Sequence, residues 1–253
     1  MAELDGFQCF APDQRGYGWS FRPDQVADYQ TGHMVRDALD LIGTLGLDRV
    51  HVVGHDWGAA FAYGIAFTGD PRGASLTIAN GVHPVPFQRE LAKGGAQSEA
   101  SRYMTWLRGP DSHTALAAND FEKLVAFLTK GMEMAWFTPE VQAEYKRAWQ
   151  NAEVVNAMVN WYRASPLVVA EPGVRAAEED LPALPHDRMK VRVPHMLIWG
   201  LGDKALLPET HDGLETFCDH LEIHEFADAD HWITHQKPKE IAGLIRDFTA
   251  RFP

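Results

Sequence analysis

The chain has 253 residues, with 35 Asp plus Glu against 23 Lys plus Arg, for a formal net charge of −12; hydrophobic residues make up 45% and charged residues 23%. That balance is globular rather than disordered, and the length fits one α/β domain with room for an insertion. The acidic balance argues against nucleic-acid binding through phosphates, no apolar run reaches the roughly 18 residues of a membrane span, the N-terminus carries no secretory signal, and two cysteines without a CxxC argue against a disulfide framework or a cysteine zinc site. A cytoplasmic location is the resulting default expectation.

In chain order, the first apolar run is Phe7 to Pro12, predicted as a strand. Tyr29 to Leu45 has helical spacing, with Met34, Ala38, Leu41 and Ile42 on one stripe. A strand over Arg49 to Gly54 precedes a helix that starts near Gly58 and ends before Asp70-Pro71. Ser75 to Asn80 is the third strand. Residues 85–185 then carry helical segments and no strand: Leu124 to Met132, Pro139 to Trp149 and Ala152 to Tyr162. Thr138-Pro139 opens one of these, with a capping hydroxyl followed by Pro at the first helical position. His195 to Gly200 and Leu221 to Phe226 are the last strands, and Pro238 to Phe252 the last helix. Near-continuous apolar strands alternating with helices predict a mostly parallel sheet flanked by helices, interrupted by about 100 residues of helix.

The segment Val52-Val53-Gly54-His55-Asp56-Trp57-Gly58 is a strand-to-helix elbow with an acid at its apex. Glycines flank the apex because the turn is tight. The Trp57 amide is placed to serve an oxyanion. An Asp in this position suits attack on an sp³ carbon. Serine would end as a stable ether, whereas a carboxylate ends as an ester that water can cleave at its carbonyl. Such a site needs a base and an orienting acid from later strands. Asp203 lies just past one strand and His231 a few residues past the last. His235 rivals His231 but falls in or near a helix; Asp228 and Asp230 rival Asp203 but share the loop of His231. Asn80 ends a strand and is not ionisable.

These pieces resemble the epoxide hydrolase branch of the α/β-hydrolase superfamily, close to the haloalkane dehalogenases, over essentially the whole chain. The order nucleophile, acid, histidine matches, as do the segments Pro12 to Ser20, Gly54 to Gly58, Gly202 to Glu209 and Asp230 to Trp232. Asn160 to Arg163 and Ser101 to Trp106 resemble the cap segments that each hold a ring-opening tyrosine. The resemblance implies an α/β-hydrolase core over residues 1–84 and 186–253 and a helical cap over 85–185. It implies Asp56 as nucleophile, His231 as the base for water, Asp203 as its orienting acid, and Tyr103 and Tyr162 as donors to the epoxide oxygen. Trp57, Trp106, Trp136 and Phe137 are expected to wall an apolar pocket, and Arg15 to anchor a loop. The implied partners are a small apolar epoxide and water, with no metal or organic cofactor required. Oligomeric state stays open, a homodimer included.

Two alternatives stand beside epoxide hydrolysis: haloalkane dehalogenation by the same Asp-His-Asp triad, and a catalytically impaired α/β-hydrolase fold used for binding. The resemblance also predicts an N-terminally truncated fold, because no segment like His-Gly-x-Pro, the family's source of a second oxyanion amide, precedes Asp5. Phe7 to Pro12 is then expected either to pair directly with Arg49 to Gly54 or to be poorly held, leaving an aggregation-prone edge.

Overall fold

A computed structural model describes residues 3–252. Its centre is a sheet of four parallel strands, β1 (Val50–His55), β2 (Gly73–Ala79), β3 (His195–Gly200) and β4 (Leu221–Phe226), in that spatial order. The two inner strands are buried along almost their whole length, as their unbroken apolar sequence requires when helices cover both faces. The outer two are only partly covered, and Val53 on β1 is 49% exposed.

Helix α1 (Thr31–Thr44) precedes β1, and α2 (Trp57–Thr68) joins β1 to β2. The helix expected over Tyr29 to Leu45 is divided at Gln30, whose extended backbone separates α1 from a 3₁₀ turn at Val26–Tyr29. The β2-to-β3 connection holds a helical insertion: α3 (Pro84–Ala92), α4 (Ala96–Ala100), α5 (Arg102–Leu107), α6 (Ser112–Thr129), α7 (Pro139–Trp149) and α8 (Ala152–Ala164). Thr138 caps α7 as its sequence predicts, with Pro139 in the first turn. Helix α6 is longer than its periodicity suggests, because non-helical backbone at Ala118–Phe121 breaks the pattern between two helical halves. Helices α9 (Ile233–Gln236) and α10 (Pro238–Ala250) close the chain.

One face of the sheet packs Leu76, Ile78, Leu197 and Trp199 against Ala59, Ala62 and Tyr63 of α2 and Phe87 and Leu91 of α3. The other packs Met196 and Ile198 against Ile241, Ile245 and Phe248 of α10. The insertion has a core of its own, built on Leu116, Leu124, Trp149, Val155 and Val159. Tyr103 of α5 and Tyr162 of α8 pack against both that core and the sheet-side core, so they sit on the seam between cap and base.

The strand expected at Phe7 to Pro12 does not form; these residues are coil. Phe7 touches the ring of His51 edge-on at 6.4 Å, and Phe7 and Phe10 are 37% and 44% exposed. A strand needs a neighbour's ladder to satisfy its backbone, and this segment makes no ladder with β1. Of the two expected outcomes, the unpaired one holds, and β1 is an edge strand. Arg15, further along the same stretch, anchors the loop: its guanidinium meets both Asp37 carboxylate oxygens at 2.8 and 2.7 Å and the Asp28 carbonyl at 2.9 Å. Among the described residues no helix is long and apolar enough to cross a membrane.

Candidate active site

The elbow after β1 puts Asp56 at φ 51°, ψ −122°, a backbone conformation that a residue with a side chain adopts only when its surroundings enforce it. The enforcement is visible at Gly54. A β-carbon there would lie 2.6 Å from the Gly58 carbonyl oxygen and 2.8 Å from the Ala59 α-carbon, so the strand end and α2 close up only over glycine. Gly58, the second flanking glycine, has open space around it. Steric need therefore explains one of the two glycines.

Three chain segments converge here because their strands end at the same edge of a parallel sheet. Asp56 follows β1, Asp203 follows β3 and His231 follows β4. His231 Nδ1 lies 2.8 Å from Asp203 Oδ2, and its Nε2 lies 3.3 Å from Asp56 Oδ2. The Asp203 side chain is completely buried, with Oδ1 accepting from the amides of Ala205 and Leu206 at 2.8 and 3.0 Å. Asp203 can only accept in its ionised form, so His231 Nδ1 carries the proton between them. Asp56, Asp203 and His231 thus form an Asp-His-Asp arrangement of the epoxide-hydrolase type. The rivals do other work: Asp230 accepts from the backbone of Glu133 and Trp232, Asp228 pairs with Lys237, and the His235 ring stacks on Trp136.

The electrostatics follow from the geometry. Burial pushes the Asp56 carboxyl up, but the hydrogen bond and charge of His231, with His55 and the Trp57 amide, outweigh it and hold Asp56 well below the usual carboxylate range. Burial pulls His231 down, yet the two flanking carboxylates more than reverse this and raise it. His55 is driven the other way, to about 4, by burial and by the neighbouring His231.

A cavity of about 400 Å³ opens over Asp56, within the range of small-molecule sites. Its walls are mainly apolar, and Trp57, Tyr103 and Tyr162 line it with Asp56. The Tyr103 and Tyr162 rings stand 6.0 Å apart, and Tyr162 meets Trp57 edge-on at 5.0 Å. Burial raises both phenols well above their ordinary value, reinforced by the Asp56 charge and, for Tyr162, first by Tyr103.

Three residues expected in the pocket lie elsewhere. Trp106 is 41% exposed on the cap, with the Lys123 ammonium 4.1 Å from its ring centroid. Trp136 stacks on His235 at 3.8 Å, and Phe137 packs against Trp136 and Tyr145. Trp136 thus fastens the loop between α6 and α7 to Trp232 and His235 beside His231, with Phe137 packed behind it, instead of facing the cavity. The cavity draws on residues that carry no chemical signature in the sequence: Gln30 and Thr31 at the head of α1, Phe67, and Leu184 and Met189 from the return path. Asn80 and His55 also belong to the site. Asn80 bonds to Asp203, and the His55 Nε2 lies 2.7 Å from the His231 carbonyl oxygen. Their signals were position: one ends a strand, the other precedes the elbow acid. Among the described residues no group of three or more His, Cys, Asp or Glu side chains is arranged to hold a metal ion.

The comparisons with known proteins agree with this geometry. Residues 1–244 match the model of the alpha/beta hydrolase family. The chain is 30% identical over 244 residues to the AB hydrolase superfamily protein YfhM of Bacillus subtilis, covering 96% of this chain and 80% of that protein. It is 28% identical to epoxide hydrolase 3 of Xenopus tropicalis, covering 96% of this chain and 64% of the frog protein. Haloalkane dehalogenase 2 of Mycobacterium bovis is also 28% identical, with 97% of this chain and 79% of that protein covered. Among solved structures, an epoxide hydrolase from hot-environment metagenomes superimposes with a TM-score of 0.85 at 35% identity, covering 97% of this chain and 82% of that one. The Bacillus megaterium epoxide hydrolase gives 0.82 at 28%, covering 94% and 82%. With the four-stranded parallel sheet, the helical insertion and the converging Asp-His-Asp set, these matches establish that the chain belongs to the alpha/beta hydrolase family, in its epoxide-hydrolase-like branch.

Proposed function

We propose that the protein hydrolyses a small, neutral, apolar epoxide to a vicinal diol through an alkyl ester on Asp56. The observation that carries this reading is the pair of partly buried phenols, Tyr103 and Tyr162, lining the same cavity as the Asp56 carboxylate. Ring opening generates an alkoxide, a far stronger base than phenolate, so a phenol kept protonated by burial is a fitting donor. Loss of halide from a haloalkane calls for no such proton, which places dehalogenation second.

The charges support a two-step cycle. Asp56 is ionised and attacks the less hindered epoxide carbon while Tyr103 and Tyr162 donate to the oxygen. The C–O bond of the ring breaks as the ester bond forms. In the free protein His231 lies between two carboxylates and is protonated. Esterification removes the Asp56 charge, the His231 pKa falls, and the proton it gives up replaces the one a tyrosine has passed to the alkoxide, leaving Nε2 a base for water. Water attacks the Asp56 carboxyl carbon as His231 takes one of its protons, the Trp57 amide stabilises the oxyanion, and the ester C–O bond breaks with the other proton passing to the departing diol oxygen, which restores the Asp56 carboxylate and protonated His231.

Single turnover in heavy-oxygen water tests the scheme. Label must enter the Asp56 carboxyl, read by mass analysis of its peptide; an unlabelled Asp56 alongside diol formation rejects it. A panel of styrene oxide, aliphatic epoxides and haloalkanes separates the two chemistries.

A further inference from the structure

We propose that Asn80 is a positioning residue for ester hydrolysis: its side-chain amide holds the Asp203 carboxylate, and through it the His231 ring, in the orientation and charge balance that water activation needs. The inference rests on the reaction cycle above and adds a residue to it.

The topology places Asn80 for this role. β2 lies between β1 and β3, so the residue at its end stands between Asp56 and Asp203. Asn80 is completely buried and takes a positive φ of 33°. Its carbonyl oxygen accepts from the Asp56 amide at 3.2 Å, and its own amide donates to the Ile198 carbonyl at 3.0 Å. Its side chain reaches across to the acid. Oδ1 accepts from the Gly200 amide at 2.7 Å, and Nδ2 donates to Asp203 Oδ2 at 2.8 Å and to the Gly200 carbonyl at 3.2 Å. Chemistry fixes which end is which, because a backbone N–H requires the oxygen and a carboxylate requires the nitrogen.

Asp203 Oδ2 is the oxygen that also receives His231 Nδ1, at 2.8 Å. Asn80 therefore shares that oxygen with the catalytic-site imidazole. A neutral donor there satisfies the buried carboxylate without titrating, and it draws off part of the negative potential that would otherwise keep His231 protonated. The ionisable groups facing His231 are Asp56 and His55 from the end of β1, Asp203 beyond β3, and Tyr103 and Tyr162 across the cavity; Asp230 on its own loop is occupied by Glu133, Trp232 and Gln236. Removing the Asn80 donor leaves the carboxylate tethered at Oδ1 by Ala205 and Leu206, so Oδ2 stays in place and acts on His231 alone.

Two variants separate this role from simple bracing. Asn80→Ala loses every side-chain bond. Asn80→Leu is close to isosteric and keeps the packing, but it can neither donate to Asp203 nor titrate. The His231 titration is followed by NMR in an Asp56→Asn background, which removes the nucleophile's charge as esterification does. Asn80→Ala and Asn80→Leu are each expected to raise the His231 pKa by about one unit, with hydrolysis of the ester slowed about tenfold on the acid limb and alkylation changed by less than about threefold. An Asn80→Leu protein matching the parent in titration and hydrolysis would show that the donor to Asp203 does not matter. An unmoved or lowered pKa, or equal losses in both half-reactions, also overturns the proposal. Should Asn80→Ala not fold, Asn80→Leu carries the test by itself. If the parent chain forms no ester, the reaction reading fails, whereas the titration still decides the role of Asn80.

Discussion

His55 and His231, 176 positions apart in sequence, are tied by one hydrogen bond: His55 Nε2 donates to the His231 carbonyl oxygen at 2.7 Å. A carbonyl can only accept, so this nitrogen carries the proton. The bond joins the residue before Asp56 to the backbone of the loop that carries His231. It also commits a histidine to a buried environment that resists charge.

That commitment gives a pH dependence of stability. Burial lowers His55 and His83 to about 4 and His195 to about 3. In the unfolded chain each takes up a proton near pH 6.5, while the folded state does not. The unfolded state therefore binds more protons below pH 6.5, and stability falls as pH falls toward 4, by up to about 1.4 kcal/mol per pH unit for each histidine. His231 has the opposite sign. Its folded pKa is raised to about 10 by the two flanking carboxylates, so its contribution is complete below about 6.5 and is lost as pH rises through that value. Thermal melts across pH 4 to 10 are expected to peak near neutrality. His83→Phe, which replaces a ring packed among Tyr63, Phe67 and Phe217, is expected to flatten the acid side; an acid side of unchanged slope would contradict this account.

Replacing Tyr103 or Tyr162 with Phe removes a phenol and leaves the ring packing of the seam. Each single variant is expected to slow alkylation by about 10²-fold, and the pair by more, with ester hydrolysis little changed. Rapid-mix single-turnover measurements resolve the two half-reactions. An equal loss in both would assign the phenols to packing.

His231→Gln is expected to trap the ester. Asp56 remains ionised and can attack, but no base is left for water. Intact-mass analysis after mixing with an epoxide reads the result as a stable adduct of one substrate mass, located on the Asp56 peptide.

The elbow glycines are expected to differ sharply. Gly54→Ala forces a β-carbon to 2.6 Å from the Gly58 carbonyl and to 2.8 Å from backbone and side-chain carbons of α2, and should destabilise by about 1–3 kcal/mol or more. Gly58→Ala meets nothing within 4 Å in the first turn of α2 and should gain about 0.5–1 kcal/mol. Urea denaturation of the two variants checks the contrast.

Val53, half-exposed on the β1 edge beside the uncovered Phe7–Pro12 stretch, marks a surface prone to edge-to-edge pairing. Val53→Lys is expected to lower light scattering on storage while leaving stability within about 0.5 kcal/mol.

Much of this protein was legible in the linear chain because it is encoded locally. The strands His195–Gly200 and Leu221–Phe226 match their apolar runs residue for residue, and helix α7 matches its cap and its proline. The elbow around Asp56 is a short-range pattern whose chemistry follows from one carboxylate at a tight turn. The order of Asp56, Asp203 and His231 follows from strand ends in a parallel sheet. Tertiary structure decided what depends on partners distant in sequence. Phe7 to Pro12 has the composition of a strand but makes no ladder, because a ladder needs a pairing partner in space as well as an apolar run. Trp106, Trp136 and Phe137 are apolar enough for a pocket, yet the packing of cap on base turned them to the surface and to the His231 loop, and brought Leu184 and Met189 to the cavity instead. Asn80, dismissed by its chemistry as an acid, gained its place because β2 sits between the strands that lead to Asp56 and Asp203, bringing a neutral donor to the oxygen that His231 shares.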